Sequence, residues 1–334
     1  MVKASAEPVS QAVTPEAITK VATGFMAAKH LFTASGLGLF AQLGGGPLPL
    51  AQLAERCGIP ARSARILADA MVALGFVEKA EAGYANGPVA QSFLAGDPED
   101  GLRPFLSFWD QISYPAWMNL EDATRTGTGV GLQLNEAQQR VFSAGVQALT
   151  AGAARSLAGG YDLGRHHRLL DVGGGTGSFL VAMLSVHSRL EGTLFELPAV
   201  AGVARHLVTG TSVADRITVV EGDFLRDQVP SGHDVLLLAN VIHLFQPEVN
   251  RELLGRLRKA VEVGARALLV DFWTDPSHTQ PLFAALMAAE FLVMAGGDVY
   301  SAAEVQGWLA ETGWTMVDQQ PLAGPAGLIV AEAV

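Results

Sequence analysis

Three glycines at alternate positions form the strongest chemical signal in the sequence. Gly173, Gly175 and Gly177 follow a short apolar run that ends around Asp171, and an apolar helical pattern begins near Phe179. This spacing predicts a strand, a tight turn and a helix, which together open a nucleotide-binding α/β unit. Because glycine has no Cβ atom, a ligand in such a turn can lie against backbone N–H groups.

Two further strand-like runs end in residues that suit the sugar and the base of a nucleotide. The first ends at Glu196, whose carboxylate can accept hydrogen bonds from both hydroxyls of a ribose. The second ends in Asp223 and Phe224, a carboxylate beside an aromatic ring, which suits an adenine. In a parallel sheet these strand ends meet at one edge, so we expect them beside the glycine turn.

The spacing of the glycines indicates which kind of nucleotide binds. A dinucleotide site would have Gly-x-Gly-x-x-Gly, but Ser178 stands at the place of its last glycine. The observed Gly-x-Gly-x-Gly, with Asp171 ahead of it, resembles the S-adenosylmethionine site of class I methyltransferases. The implied cofactor is S-adenosylmethionine, and the implied product is S-adenosylhomocysteine.

A fourth apolar run brings His243 to the same end of the predicted sheet. Methyl transfer from a sulfonium is a displacement in which the protein mainly positions the acceptor oxygen. A phenol with a pKa of about 10 is mostly neutral at pH 7, so a histidine in contact with it can act as general base. Asp271, at the end of a fifth predicted strand, would orient this histidine. The alternatives are a histidine satisfied in the core and a carboxylate that caps the next loop.

Apolar and aromatic residues in three segments are candidates for an acceptor pocket. Aromatic residues are concentrated between positions 105 and 118 of a chain that is only 7% aromatic. Ring stacking suits a flat aromatic acceptor, and helical core packing is the alternative. Segments 141–157 and 281–294 carry apolar residues at helical spacing, which is again compatible with core or pocket. The candidates are Trp109, Tyr114, Trp117, Phe142, Val146, Met287, Phe291 and Met294.

Composition limits the partners and the compartment. The chain has 334 residues, of which 49% are hydrophobic, and this is long enough for two domains with separate cores. Its net charge of −11 argues against nucleic acid, which is bound mainly by Lys and Arg. The chain has a single cysteine, Cys57, and contains no apolar signal core and no apolar run of membrane-spanning length. We therefore expect a cytoplasmic protein without a membrane partner. The histidines lack metal-ligand spacing, and no metal is expected.

Four segments are expected along the chain. Residues 1–14 form a flexible tail, and residues 15–100 contain three helical segments and a hairpin, which is the pattern of a winged helix. Its would-be recognition helix carries only Arg62 and Arg65, so homodimer formation is favoured over DNA binding. Residues 101–160 form a helical linker that contributes to the substrate pocket. Residues 161–334 form a Rossmann-like catalytic domain whose parallel sheet has an antiparallel edge.

With both halves considered, the chain resembles the small-molecule O-methyltransferases of plants and bacterial secondary metabolism. In these proteins a winged-helix dimerisation domain precedes an α/β, Rossmann-like S-adenosylmethionine domain. The segment Asn240-Val-Ile-His-Leu-Phe resembles the one that carries the general base of the family, which assigns that role to His243. Three other matching motifs imply the cofactor contacts. Together with Asn240, the implied cofactor-binding residues are Asp171, Gly173, Gly175, Gly177, Glu196, Leu197, Gly222, Asp223 and Phe224.

The chain departs from the family pattern around the base. Leu244 and Phe245 follow the histidine, where members commonly have Asp or Asn and then Trp. Asp271 matches a carboxylate that often supports the base. Val299 occupies the place of a second supporting acid, so that partner is either missing or replaced by Asp298.

The sequence therefore predicts an S-adenosylmethionine-dependent O-methyltransferase that acts on a hydroxyl of a small aromatic or polyketide-like metabolite. One alternative is transfer to carbon or nitrogen, with His243 only orienting the acceptor. Another is a family member that uses the cofactor site for non-methylating chemistry. A third is a winged-helix regulator that senses the cofactor, which the acidic charge disfavours.

Overall fold

A computed structural model describes residues 14–97, 101–131 and 133–334. The predicted tail, residues 1–14, lies outside these ranges except for Thr14. The chain divides into two compact units between Leu106 and Ser107. Residues 107–160, expected to form a linker, thus belong to the same unit as the residues that follow them. The domain boundaries expected at residues 100 and 160 stay predictions.

In its described residues, the first unit is helical with a small hairpin. The hairpin pairs Val77 with Asn86 and Ala80 with Gly83 in antiparallel register. Leu39, Phe40 and Met71 are among the fully buried residues of the core that the helices and the hairpin share. The elements are α1 (Glu16–Ala22), α2 (Gly24–Gly36), α3 (Leu39–Gln42), α4 (Leu50–Arg56), α5 (Ala61–Ala73), β1 (Val77–Ala80), β2 (Gly83–Asn86) and α6 (Pro88–Phe93).

The first two helices carry large apolar side chains on their surface. Ile18 and Val21 of α1 are 75% and 82% exposed, and Phe25 and Met26 of α2 are about half exposed. Several large exposed apolar side chains on two consecutive helices are typical of an interaction surface. We name these four residues the α1–α2 surface.

The second unit begins with short helices that lead into one long helix. The helix α7 (Arg103–Phe108) crosses the division between the units and continues into a π-helical turn, Trp109–Ser113. It is followed by α8 (Tyr114–Trp117), α9 (Leu120–Thr126) and α10 (Glu136–Gly160). The start of α10 is fixed by a capping box, in which the Asn135 side chain accepts from the Gln138 backbone and the Gln138 side chain accepts in return.

Seven strands form the sheet of the described second unit, in the order β5-β4-β3-β6-β7-β9-β8. The first five strands of this order run parallel, whereas β9 and β8 pair antiparallel at one edge. The predicted α/β class with an antiparallel edge is confirmed. The strands are β3 (Arg168–Val172), β4 (Glu191–Glu196), β5 (Ile217–Glu221), β6 (Val235–Ala239), β7 (Arg266–Asp271), β8 (Trp314–Pro321) and β9 (Gly327–Ala333).

The central strands are buried on both faces because helices cover the sheet from two sides. All five residues of β6 are buried and apolar, as in parallel sheets with helical layers on both faces. Short 3₁₀ turns at Ala214–Arg216 and Ile242–Leu244 precede β5 and follow β6. The helices between the strands are α11 (Ser178–Val186), α12 (Pro198–Thr209), α13 (Pro247–Lys259), α14 (Leu282–Ala295) and α15 (Ala302–Glu311).

Candidate active site

A cavity of about 420 Å³ lies in the second unit, against the carboxyl ends of the parallel strands. The glycine turn after β3, the ends of β4 and β6, and the helices α10 and α14 build its wall. This volume is typical of sites for small molecules. The cavity brings together twelve of the residues predicted from the sequence: Trp109, Phe142, Val146, Asp171, Gly173, Gly175, Glu196, Asn240, His243, Met287, Phe291 and Met294.

The remaining predicted residues lie behind or beside this wall. Some of them contact residues of the lining: Asp271 forms a hydrogen bond with His243, and a ring carbon of Phe224 lies 3.0 Å from the position that a Cβ of Gly173 would take. Eight predicted residues do not line the cavity in the described structure: Tyr114, Trp117, Gly177, Leu197, Gly222, Asp223, Phe224 and Asp271.

The glycine turn gives the cavity a wall of backbone. Gly173 and Gly175 have φ angles of 67° and 58°, in the left-handed region that favours glycine. A Cβ atom at Gly173 would also lie 3.0 Å from a ring carbon of Phe224. The Gly173 N–H donates to the carbonyl of Phe195 at 2.8 Å, which ties the turn to the end of β4. A side chain at Gly173 would therefore strain the turn and displace the Phe224 ring.

Asp171 is a buried carboxyl without a hydrogen bond of normal geometry from the described residues. It is 0% exposed, and neither of its carboxyl oxygens has a hydrogen-bond partner among the described residues. Burial raises the pKa of Asp171 to about 8, the neighbouring Glu196 carboxyl adds to the rise, and the backbone N–H of Leu180 opposes it. An unpaired buried carboxyl is costly, so this wall is well suited to a ligand that brings a donor or a positive charge.

Glu196 ends β4 and is held by backbone donors. Its Oε2 accepts from the Gly175 N–H at 2.8 Å, and its Oε1 accepts from the Leu197 N–H at 2.7 Å. Burial raises the pKa of Glu196, and these two hydrogen bonds oppose the rise. Each carboxyl oxygen has a second lone pair, so Glu196 can still accept from a ligand at the cavity wall.

The residues after β5 form a compact turn beside the glycines. The nearest ring carbon of Phe195 lies 2.5 Å from the position that a Cβ of Gly222 would take, so there is no room for a side chain at Gly222. The Asp223 carboxylate accepts from the Leu225 N–H at 2.9 Å, which fixes the turn that presents Phe224. The predicted adenine residues are thus placed close to the glycine turn, although they stay outside the cavity lining.

His243 and Asp271 form a buried pair at the ends of neighbouring strands. Asn240 follows β6 directly, has a φ of 60° and donates its N–H to the Val270 carbonyl at 2.8 Å. The 3₁₀ turn that carries His243 comes next. Nδ1 of His243 lies 2.6 Å from Oδ1 of Asp271, and the His243 backbone N–H donates to Oδ2 at 3.2 Å. Asp271 also accepts from the Phe272 N–H at 2.8 Å. Three donors therefore fix one carboxylate, and the carboxylate fixes the imidazole.

Neighbouring residues fix the plane and the backbone of His243. The Phe291 ring stacks on the imidazole with the centroids 3.6 Å apart and the planes 12° apart. The Asp298 N–H donates to the His243 carbonyl at 3.1 Å, while the Asp298 carboxylate accepts from the Val299 N–H. Asp298 thus supports the histidine through its backbone. Val299 is 0% exposed and belongs to the apolar core, so it supplies no second acid here.

Sequence reasoning missed Glu290, a carboxyl that lines the cavity. It is 1% exposed, and its Oε2 accepts from the Ser113 hydroxyl at 2.7 Å and from Nε1 of Trp117. Trp117, a predicted pocket residue, thus donates a hydrogen bond to a residue of the cavity wall but does not line the cavity itself. A signal was present, because Glu290 is the one charged residue in the otherwise apolar segment 282–295.

Residues 14–97, 101–131 and 133–334 contain neither a membrane-spanning helix nor a metal-binding cluster. No helix there is long and apolar enough to cross a membrane. In the same part of the chain, no group of three or more His, Cys, Asp or Glu side chains is arranged to hold a metal ion.

Two family models match the sequence. The model for the O-methyltransferase domain matches residues 126–315, and the model for the O-methyltransferase dimerisation domain matches residues 19–96. The first match covers more than half of the chain and contains the glycine turn, Glu196, His243 and Asp271. The second contains the hairpin and most of the α1–α2 surface.

Individual proteins are similar over nearly the whole chain. The 3-hydroxy-5-methyl-1-naphthoate 3-O-methyltransferase of Streptomyces sahachiroi is 31% identical over 93% of this chain and 92% of its own. The tetracenomycin polyketide synthesis 8-O-methyl transferase TcmO of Streptomyces glaucescens is 29% identical over 95% and 96%. A solved structure of PigF with SAH (S-adenosylhomocysteine) superposes with a TM-score of 0.85 at 27% identity, over 96% of this chain and 100% of that one. The chain therefore belongs to the O-methyltransferase family and is an S-adenosylmethionine-dependent methyltransferase with a dimerisation domain ahead of its catalytic domain.

Proposed function

We propose that this protein transfers a methyl group from S-adenosylmethionine to a hydroxyl of a small aromatic or polyketide-like molecule, with His243 as general base. The observation that carries the proposal is the 2.6 Å bond between Nδ1 of His243 and Asp271, at a cavity wall that also contains the glycine turn. The names of two relatives support the acceptor class, since one acts on a hydroxynaphthoate and the other in polyketide synthesis.

The residues at the glycine turn fit the cofactor. S-adenosylmethionine supplies an electrophilic methyl group on a sulfonium. The two unsatisfied oxygens of Asp171 are suited to N–H donors of a bound molecule, and Glu196 has free lone pairs for ribose hydroxyls. Gly173 and Gly175 line the cavity with backbone atoms, because they have no side chain. We assign supporting contacts to Gly177, Leu197, Gly222, Asp223, Phe224 and Asn240, as the family resemblance implies.

His243 is held in the tautomer that a general base needs. Because Asp271 accepts a hydrogen bond at Nδ1, the proton of a neutral imidazole stays on that nitrogen, and Nε2 carries the lone pair. Nε2 would take the proton of the acceptor hydroxyl, while the Asp271 carboxylate stabilises the imidazolium that results. This contribution is typically about 10²–10⁴-fold in rate.

Apolar side chains would hold the acceptor against the base. Met287, Phe291 and Met294 of α14 line the cavity with Phe142 and Val146 of α10. A flat aromatic molecule can slide between such walls, and flexible methionines adapt to its outline. Trp109 completes the wall in our proposal, and Trp117 and Tyr114 support it from outside the lining.

An activity screen tests the proposed function. The protein is incubated with S-adenosylmethionine and a panel of hydroxynaphthoates, naphthols and phenols, and methylated products are located by mass spectrometry and NMR. We expect O-methyl products, with kcat lowered about 10²–10⁴-fold in His243→Ala and unchanged in His206→Ala, an exposed histidine on α12. Products methylated only on nitrogen or carbon would contradict the proposal, as would full activity in His243→Ala.

We further propose that the chain forms a homodimer through the α1–α2 surface. The family match to a dimerisation domain and the exposure of Val21 and Phe25, 82% and 51%, support this assembly. Light scattering should give the mass of a dimer for the wild type and of a monomer for Val21→Glu/Phe25→Glu. Val263→Glu, which changes a 73% exposed residue of the catalytic unit, is the matched control and should stay dimeric.

A further inference from the structure

Glu290 brings one carboxyl into an otherwise apolar wall of the cavity. It lies in α14, whose residues Met287, Phe291 and Met294 also line the cavity. Glutamate is almost never fully buried unless it is paired, yet this one is 1% exposed. Its place in the cavity wall therefore needs a chemical explanation beyond packing.

The hydrogen bonds of Glu290 satisfy only one of its two oxygens. Oε2 accepts from the Ser113 hydroxyl at 2.7 Å and from Nε1 of Trp117. Oε1 is buried and has no partner in the part of the chain that the structure describes. A buried acceptor without a donor costs about 1–3 kcal/mol, and more when the group is charged. Because Glu290 lines the cavity, a molecule bound there is well placed to supply the missing donor.

The two donors at Oε2 decide what the other oxygen can do. Burial raises the pKa of Glu290, and the hydrogen bonds from Ser113 and Trp117 oppose the rise. Both groups donate to Oε2, and these hydrogen bonds stabilise the ionised form of Glu290 against the effect of burial. In the ionised form both oxygens are acceptors, so the complement of Oε1 is an O–H or N–H group.

Glu290 also lies next to the residue that holds the base. Phe291 stacks on the His243 imidazole at 3.6 Å, and it follows Glu290 directly in α14. An acceptor that meets His243 with its reacting hydroxyl therefore lies in the same small cavity as the Glu290 carboxyl. Two polar contacts at separate points fix the orientation of a flat ring, whereas one contact leaves it free to turn.

We propose that Glu290 binds a second hydrogen-bond donor of the acceptor, a phenolic hydroxyl or an aromatic N–H, and so selects acceptors that carry two donors. This inference rests on the proposed function of the cavity, because it assumes that the acceptor binds beside His243. It adds a specificity residue and narrows the acceptor class to dihydroxylated or hydroxyl- and N–H-bearing aromatic molecules.

Substitution by glutamine gives a sharp test because the protein fixes the orientation of the amide. The Ser113 hydroxyl and Trp117 N–H both need an acceptor, so the amide oxygen of Glu290→Gln must take the place of Oε2. The amide NH₂ then replaces Oε1 and turns an acceptor into a donor. An N–H donor bonds equally to a hydroxyl or an ether oxygen, so the variant should no longer tell them apart.

The experiment measures binding of matched probes to the full-length protein with S-adenosylhomocysteine bound, by calorimetry. The probes are the regioisomers of dihydroxynaphthalene and their methoxynaphthol counterparts, in which one donor is removed. We expect the wild type to prefer at least one dihydroxynaphthalene to both of its monomethyl ethers by about tenfold or more. In Glu290→Gln the preference should fall below about threefold, whereas Glu136→Gln, the same change at an exposed residue in the first turn of α10, should keep it.

Each outcome decides the inference and separates it from the proposed function. The inference is overturned if the wild type has no such preference, if no probe binds, or if Glu290→Gln keeps the preference. If Glu290→Gln does not fold, the preference of the wild type for dihydroxynaphthalenes over methoxynaphthols alone decides the inference. If S-adenosylhomocysteine does not bind to the wild type, the proposed function itself is contradicted. If the wild type binds the methoxynaphthols as tightly as the dihydroxynaphthalenes, only the role of Glu290 is contradicted.

Discussion

The pair formed by His243 and Asp271 can be tested by Asp271→Asn. The carboxylate accepts three hydrogen bonds, from His243 Nδ1 at 2.6 Å, from the His243 N–H at 3.2 Å and from the Phe272 N–H at 2.8 Å. An asparagine has a single oxygen. That oxygen can serve Nδ1 and the Phe272 N–H together, which keeps the tautomer of the imidazole but turns the amide NH₂ toward the His243 N–H.

The size of the effect follows from these contacts. A hydrogen bond to a charged group contributes about 1.5–3 kcal/mol and a neutral one about 0.5–1.5 kcal/mol, so support for the imidazolium weakens by about 1–1.5 kcal/mol. The lost partner of the His243 N–H adds about 1 kcal/mol. Because 1.4 kcal/mol corresponds to a tenfold change in rate, we expect kcat to fall about 10- to 100-fold.

The assay uses phenolic acceptors of graded acidity, because an acceptor that is already ionised needs no base. For unsubstituted phenols, kcat of Asp271→Asn should show the full loss, and for nitro-substituted phenols that are ionised at the assay pH it should approach that of the wild type. Binding of S-adenosylhomocysteine should be unchanged, and Asp318→Asn, on the exposed edge strand β8, is the control. An equal loss for all phenols, or no loss for any, would refute the reasoning.

Two further predictions concern the backbone behind the base and the charge behind the glycine turn. A Cβ at Gly297 would lie 1.9 Å from the His243 carbonyl oxygen. Gly297→Ala should therefore lower kcat and the melting temperature, with a loss of about 1–3 kcal/mol in the free energy of unfolding. Gly202→Ala, where a Cβ would have no atom within 4 Å, is the control and should leave kcat unchanged and the stability equal or slightly higher. Between pH 3.8 and about 8 the folded protein holds the Asp171 proton that the unfolded chain has lost, so the free energy of unfolding of the ligand-free protein should fall as pH rises through this range. Thermal melts should show a weaker fall in Asp171→Asn, and an identical pH dependence would contradict the raised pKa.

Local patterns were sufficient to predict the elements that carry the site. The apolar runs before Gly173 and after Val235 are buried parallel strands, and the hairpin that follows α5 is present as expected. Strand ends in a parallel sheet meet at one edge, so the proximity of Glu196, His243 and the glycine turn followed from chain order and alternation alone. The cofactor followed from the spacing of the glycines together with Asp171, through their resemblance to the S-adenosylmethionine site of class I methyltransferases.

Contacts between distant segments were beyond sequence reasoning. The donors to Glu290 lie at Ser113 and Trp117, 177 and 173 residues away, and no local pattern predicts that a π-helical turn meets α14 there. The same limit applies to Trp117. The concentration of aromatic residues predicted that it lines the pocket, whereas in the structure it donates to Glu290 and does not line the cavity. The close approach of Gly297 to the His243 backbone likewise depends on how two loops pack.

The central claim is that the glycine turn and the end of β4 bind S-adenosylmethionine beside His243. Its most direct test is a calorimetric titration of S-adenosylhomocysteine into the wild type, Glu196→Gln and Glu221→Gln. Glu196 and Glu221 are register partners at the ends of β4 and β5, but only Glu196 lines the cavity in the described structure, and Glu221 pairs with Arg205 on the surface. We predict equal affinity for the wild type and Glu221→Gln and about 10- to 100-fold weaker binding for Glu196→Gln. No binding by the wild type, or equal binding by all three proteins, would contradict the account.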